Sequence, residues 1–392
     1  MTRLLALLAL VLPLGAPPAQ AQDFVSGATA VWVHDMTTGT TLLEQNADVP
    51  LPPASMSKLM TLYMAFEAIA NGQLSVDEEL IVSQHAMDYG GSSMFLRAGE
   101  RVRVEDLLRG VVVLSGNDAA TVLAEALSPD GTEAGFARAM TERGRQIGLT
   151  ASTFANASGW PDPIQRMSVR DLGILAERLI TDFPTFYPLF AEEEFAFDNR
   201  VPANSQNRNP MLSLGLGADG LKTGHTNEAG YGLVGSAKQG ERRIVFVITG
   251  LPSEAARQEE ATRILNWAFR QFALRDLGSA GTRMGEASVW MGDESQVALV
   301  LPEDLRVLMP ALAPGAVEAE IVYDGPVAAP VAAGAELARL HITREGLPDL
   351  DLPLVAGADV AAGGFGVRMR AALHVLMTRL RADETDVAVE GA

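Results

Sequence analysis

The chain has no cysteine. It therefore forms no disulfide and offers no thiolate to a metal. Its five histidines are scattered, without H-E-x-x-H or comparable ligand spacing, so no metal or other cofactor is expected. Positive charge is short. Thirty basic residues face 49 acidic ones, for a formal net charge of −19. Nucleic-acid binding needs basic patches, which this balance argues against. Long apolar runs are missing too. The opening, MTRLLALLALVLPLGAPPAQAQ, carries an apolar stretch from Leu4 to Leu14 that is too short to span a bilayer. With Arg3 before it and Ala19-Gln20-Ala21 after it, residues 1–21 read as a cleavable export signal, the alternative being an uncleaved anchor.

The scarcest charged residue is lysine. Of the 30 basic residues only Lys58, Lys222 and Lys238 are lysines. The two cations are interchangeable on a solvated surface. They are not where a proton must be removed, because lysine can be neutral near pH 7 and arginine cannot. Lys238 lies in the polar turn SAKQGERR and reads as a surface charge. Lys58 and Lys222 are the chemical candidates.

The chain has 392 residues, 48% hydrophobic and 20% charged, ordinary values for a globular protein of two or three domains. After the signal, ATAVWVHDMTTGTTLLEQNAD alternates and turns at Thr38-Gly39, the mark of a β-hairpin. Residues 54–70 are expected to be helical, as is most of the chain to about residue 190, with VEDLLRGVVVLSGNDAATVLAEAL the clearest stretch. Strands follow in ADGLKTGHTNEAGYGLVGSAKQGERRIVFVITG, and EAARQEEATRILNWAFRQF is an amphipathic helix. This order predicts one α/β (α+β) domain over 22–275, whose sheet combines strands from both ends. Composition shifts near Asp276. Short β-like runs spaced by Pro and Gly then predict a small all-β sandwich over 276–357.

The end of the chain differs again. Over residues 363–382, Phe365, Met369, Ala372, Leu373, Leu376, Met377 and Leu380 share one helical face, flanked by Arg368, Arg370, Arg379 and Arg381. Such a helix lies on a membrane surface with arginines at the headgroups, or packs its apolar stripe on its own β domain. Residues 383–392 form an acidic tail.

The candidate chemistry begins at Ser55, followed three residues later by Lys58. Residues three apart share a helix face, so a neutral Lys58 could take the proton from the Ser55 hydroxyl. Ser55 as a plain N-cap is the bland reading. Two further clusters weigh against it: Ser115-Gly116-Asn117 in a second helical region, and Lys222-Thr223-Gly224 on a strand. The order S-x-x-K, S-x-N, K-T-G is the serine penicilloyl-enzyme pattern, and it contains both suspect lysines.

With those motifs, and with EQNAD, GSSMFL at 91–96, QNRN at 206–209 and HTNEAGYGLVGSA, the sequence resembles the low-molecular-mass penicillin-binding proteins that act as D-alanyl-D-alanine carboxypeptidases. The resemblance covers nearly the whole mature chain. It implies a penicillin-binding/β-lactamase-like fold with a β domain and a terminal helix that holds the enzyme to the inner membrane from the periplasm. It implies peptidoglycan stem peptide as substrate and β-lactams as covalent inhibitors. Ser55 would attack the carbonyl between the terminal D-alanines, with Lys58 as general base. Ser115 and Lys222 would relay the proton, and Asn117 would hold the substrate amide. The N–H groups of Ser55 and His225 would form the oxyanion hole, and Thr223 and Arg257 would meet the terminal carboxylate. Gly224 would let the substrate lie close to its strand. By spacing alone Arg257 could equally be a helix surface charge; Ser92 and Ser93 shape the rim or turn the chain; Asp171 orients the site or caps a helix.

A class A β-lactamase needs a Glu in an E-x-x-L-N setting, and Glu142 in TERGR is the only Glu between 141 and 171. A DD-endopeptidase with the same residues, and a non-catalytic penicillin-binding sensor or scaffold, are the remaining alternatives. No G-x-S-x-G elbow is present for a Ser-His-Asp hydrolase.

Overall fold

The computed structural model describes residues 24–311, 317–344, 346–367 and 369. The export signal, the acidic tail and residues 370–382 of the expected terminal helix lie outside the described residues.

Alternating apolar residues build the opening hairpin, β1 (Ala30–Asp35) and β2 (Thr40–Gln45), closed through Gly39 at φ 65°. A 3-10 turn, Ala54–Ser57, leads into α1 (Lys58–Ala70). A helical block follows: the short ladder β3 (Glu79–Ile81) and β4 (Arg101–Arg103), with α2 (Gln84–Met87) between them, then α3 (Val104–Val112), α4 (Asn117–Leu127), α5 (Glu133–Gln146) and α6 (Val169–Asp182). The chain returns as β5 (Ala218–Thr226), β6 (Gly230–Gln239) and β7 (Arg242–Leu251), and then as α7 (Glu254–Gln271).

The sheet order is β2-β1-β7-β6-β5, so both ends of this region meet at the β1–β7 ladder and β5 is left at an edge. Period-two alternation covers both faces. Ala30, Trp32, Val245 and Val247 join the core under the helical block, while Val31, Val33, Ile244, Phe246 and Ile248 pack toward α7. Helix α1 is buried on nearly every side, from Leu59 through Phe66 to Ala68. A helix apolar all round belongs in the interior. It carries Lys58 there with it.

The stretch expected as one helix over the SGN motif is two. Helix α3 ends and α4 begins around Ser115, which sits at φ 58°, and Gly116 is the N-cap. A left-handed residue cannot continue a right-handed helix. The break lets residues on either side of it face one point.

The β-rich region contains β8 (Phe272–Gly278), β9 (Arg283–Trp290), β10 (Gln296–Val300), β11 (Leu305–Pro310), β12 (Val317–Val322), β13 (Val327–Ala328), β14 (Glu336–Arg344) and β15 (Leu350–Ala356). Six of these form a sheet, β12-β14-β15-β10-β9-β13, and β11 pairs with β8. Leu299, Val307, Leu340 and Leu354 share a core of their own. Phe272, Leu308 and Leu347 instead join the core under α7, which fastens this region to the first. The compositional shift at Asp276 lies within β8.

Candidate active site

Ser55 stands in the 3-10 turn and not inside α1. The N-cap of α1 is Ser57, and no side chain caps it, so Ser55 is no capping residue. In 3-10 geometry residues i and i+3 eclipse each other. That sets Lys58 Nζ 2.9 Å from Ser55 Oγ. The preceding residue, Ala54, is held at φ 48°. Gly159 of the 156–160 loop packs so tightly against this turn that a Cβ there would lie 1.9 Å from the Ala54 carbonyl oxygen.

Lys58 is fully buried. Besides Ser55 its amine meets Asn117 Oδ1 at 2.7 Å and the Ser158 carbonyl at 2.6 Å. All three partners can accept. An ammonium would donate to all of them; a neutral amine donates twice and keeps a lone pair. Ser158 offers a carbonyl, which only accepts. Asn117 presents its oxygen because its Nδ2 donates to the Gly90 carbonyl at 2.6 Å, and a flipped amide would break both contacts. Ser55 is therefore the one partner that can reverse and donate, and a neutral Lys58 must aim its lone pair there. Burial first, then the charges of Lys222 and Arg208, hold the Lys58 pKa well below its ordinary value, while Asp118 and Glu133 pull it partly back.

Asn117 opens α4, and its own N–H donates to the Ser92 carbonyl at 2.7 Å. The next residue, Asp118, is buried and accepts from the Met94 and Leu96 N–H groups and from Ser93 Oγ. Ser93 thus belongs to the clamp that shapes GSSMFL. Ser92 Oγ meets Arg208. Asp171 accepts from Ala151 N–H and Ser152 Oγ, and the α6 cap is Ser168. Asp171 therefore ties a loop to a helix.

The edge strand β5 carries Lys222, Thr223, Gly224 and His225. Lys222 is buried, and burial, Arg208 and Arg257 together lower its pKa to about 7. Gly224 answers a close contact within the chain itself. A Cβ there would lie 2.9 Å from the Pro53 carbonyl and 3.0 Å from Met56 Cγ, so its bareness lets the Ser55 turn reach the strand. Gly232, its partner across the ladder, clears the same Met56. His225 is exposed, with its ring stacked on Tyr231 at 3.9 Å.

Arg257 is not a surface charge. It is buried on α7, its guanidinium 5.8 Å from the centre of the Tyr231 ring. Nη2 donates to the Arg208 carbonyl at 3.4 Å, and among the described residues Nε finds no partner. Arg208 and Ser158 are the site residues that sequence reasoning left without a role. QNRN did contain Arg208. Ser158 acts through its main-chain oxygen, which any residue type possesses and no motif reveals. Beyond His225 a cavity of about 620 Å³ runs between the Asn227–Tyr231 hairpin and Thr29, Leu51 and Thr249. No His/Cys/Asp/Glu cluster suited to a metal occurs among the described residues.

A family model described as D-alanyl-D-alanine carboxypeptidase matches residues 18–253, and one described as the penicillin-binding protein 5 C-terminal domain matches residues 272–362. The D-alanyl-D-alanine carboxypeptidase DacD of Salmonella typhimurium is 33% identical over 368 residues, 90% of this chain and 93% of that one. The crystal structure of DacD from Francisella tularensis aligns with a TM-score of 0.77 at 27% identity, covering 89% of this chain and 97% of that one. Penicillin-binding protein 5 from Haemophilus influenzae aligns at 0.72 with 32% identity, covering 88% and 100%.

Proposed function

Because the chain belongs to the D-alanyl-D-alanine carboxypeptidase family, we propose a mechanism in which Ser55 carries the acyl group through a cycle driven by Lys58. The protein is a serine-type D-alanyl-D-alanine carboxypeptidase that removes the terminal D-Ala of peptidoglycan stem pentapeptides. In the proposed cycle Ser55 Oγ attacks the carbonyl between the two D-alanines and passes its proton to neutral Lys58. The backbone N–H groups of Ser55 and His225 receive the oxyanion. As the C–N bond breaks, the proton returns through Ser115 and Lys222 to the leaving amine of D-Ala. Lys58, neutral again, then takes a proton from the water that attacks the ester, and Ser55 is regenerated with the shortened peptide released.

Asn117 holds the substrate amide, with its oxygen already given to Lys58. Thr223 and Arg257 meet the terminal carboxylate, and the action of the Arg257 charge on Lys222 supports its closeness to the site. The upstream part of the stem peptide runs past His225 toward the neighbouring cavity. β-Lactams acylate Ser55 by the same attack and stay because their leaving group remains tethered. This fits the likeness to a penicillin-binding protein.

The observation that carries the mechanism is the placement of the buried Lys58 amine between two fixed acceptors and the Ser55 hydroxyl. D-Alanine release from a peptide ending in D-Ala-D-Ala tests it. Release is expected from the mature protein and not from Ser55→Ala. Release that survives in the variant overturns the assignment of Ser55. Cleavage of cross-linked dimers without D-Ala release from the monomer would instead favour an endopeptidase.

The proposed setting is the periplasm, with the enzyme held to the inner-membrane surface by the helix of residues 363–382. The support is sequence: the export signal and the arginine-flanked apolar stripe. No helix among the described residues is long and apolar enough to cross a membrane.

A further inference from the structure

The proposed mechanism leaves a second layer of polar side chains behind Lys58 unused. Glu133, the first residue of α5, has a side chain only 10% exposed. Its Oε1 accepts from the Ala157 N–H at 3.0 Å and from the Tyr89 hydroxyl at 3.3 Å, and its Oε2 meets His85 Nε2 at 3.0 Å. The Tyr89 oxygen accepts in turn from Ser158 Oγ at 3.0 Å. The Ser158 carbonyl is one of the two fixed acceptors on Lys58. Gly90, next to Tyr89, supplies the carbonyl that fixes the other one, Asn117. Both anchors of the Lys58 amine therefore trace back to the Tyr89-Gly90 step, and Glu133 is what that step and the 156–160 loop hold in common.

We propose that Glu133 is a positioning residue for the general base, holding the Ser158 carbonyl in place through Tyr89 and Ala157 and setting a negative charge behind the Lys58 amine. The inference rests on the reading of Lys58 as base. The directions in the chain are mutually consistent. Burial and the Glu133 charge push the Tyr89 pKa above its ordinary value, so the phenol keeps its proton and donates to Glu133. It is then free to accept from Ser158. Four charged groups bear on Lys58: Lys222 and Arg208 favour its neutral form, and Asp118 and Glu133 favour its protonated form. Asp118 is committed to the 93–96 loop, which leaves Glu133 as the negative group bonded into the loop behind the amine.

A strut and an electrostatic partner respond differently to Glu133→Gln. Glutamine keeps an oxygen for Ala157 and Tyr89 but loses the charge. The experiment is kcat/KM for a D-Ala-D-Ala peptide as a function of pH, with the full mature chain. For Glu133→Ala we expect kcat to fall about 10- to 100-fold with KM little changed, the scale of a displaced catalytic group. Glu133→Gln should recover most of that rate. In both variants the acid limb should move to lower pH, because a lysine deprived of a nearby negative charge loses its proton more readily. Tyr89→Phe should slow the reaction without moving the limb. The proposal is overturned if both Glu133 variants keep the wild-type rate and acid limb, or if they only lose thermal stability while the limb stays. Should Glu133→Ala fail to fold, Glu133→Gln decides through the limb alone. Lys58→Ala separates the two layers. Activity surviving there overturns Lys58 as base, whereas a dead Lys58→Ala beside unaltered Glu133 variants overturns the positioning role alone.

Discussion

Replacing Lys58 with arginine keeps a cation and removes the one nitrogen at this spot that can be neutral. Lys58→Arg should therefore lose about 10²- to 10⁴-fold in acylation, the usual worth of a general base. The rate of acylation by a labelled penicillin measures it. The wild-type acid limb should lie well below the ordinary lysine range, because burial, Lys222 and Arg208 keep the amine deprotonated at lower pH. Lys222 has a stability consequence. Its folded pKa of about 7 is below its ordinary 10.5, so between those values the unfolded chain binds more protons. Stability thus rises with pH across that window and is lost as pH falls toward 7. Lys222→Met should stabilise the protein by roughly 2–4 kcal/mol at pH 7, and the gain should shrink toward pH 10. Denaturant melts of both proteins at the two pH values test the sign. A site that stabilises when disarmed is the expected cost of burying two amines for chemistry.

At the scale of elements, the site is a junction of three pieces whose contact needs missing atoms and broken helices. The 3-10 turn reaches β5 only because Gly224 and Gly232 both clear Met56. Gly224→Ala would place a methyl 2.9 Å from the Pro53 carbonyl, a main-chain atom that cannot swing aside. Penicillin acylation of that variant should slow at least about tenfold, since sub-ångström displacement of a nucleophile is costly. Wild-type acylation would mean that the turn has slack. The left-handed Ser115 does the comparable service for α3 and α4.

For the whole molecule, the decisive contrast is between a net charge of −19 and a terminal stretch whose charges over 363–382 are all arginine. A polybasic amphipathic helix gains from an anionic surface what the rest of the chain would lose. Deleting residues 363–392 should abolish binding to anionic vesicles in a flotation assay while D-Ala release stays at the wild-type rate. Retained binding would locate membrane affinity elsewhere. The β region is expected to remain folded in that variant, because its core and its fastening through Phe272, Leu308 and Leu347 lie upstream of the cut.

Residue order by itself determined the class of chemistry, a serine paired with a lysine, and the coarse architecture. Three motifs whose spacing is chemically constrained, holding two of the chain's three lysines, point to acyl transfer at Ser55; period-two and helical patterns point to a sheet closed by both ends of its domain. Local patterns carry that information because a side chain's reach and a strand's alternation are short-range properties. What only the tertiary structure decided are the long-range meetings. The helical pattern ran on through Ser115, because the apolar periodicity on both sides outweighed the Ser-Gly-Asn turn signal between them. By spacing Arg257 could be a carboxylate ligand or a helix surface charge, and only the packing of α7 on β6, with Tyr231 under the guanidinium, shows it buried. Gly224 makes room for the Ser55 turn. Ser158 works through a backbone oxygen, and Glu133 through a loop it reaches only once folded. Each depends on which atoms from distant segments share a few ångströms, and a linear pattern does not specify that.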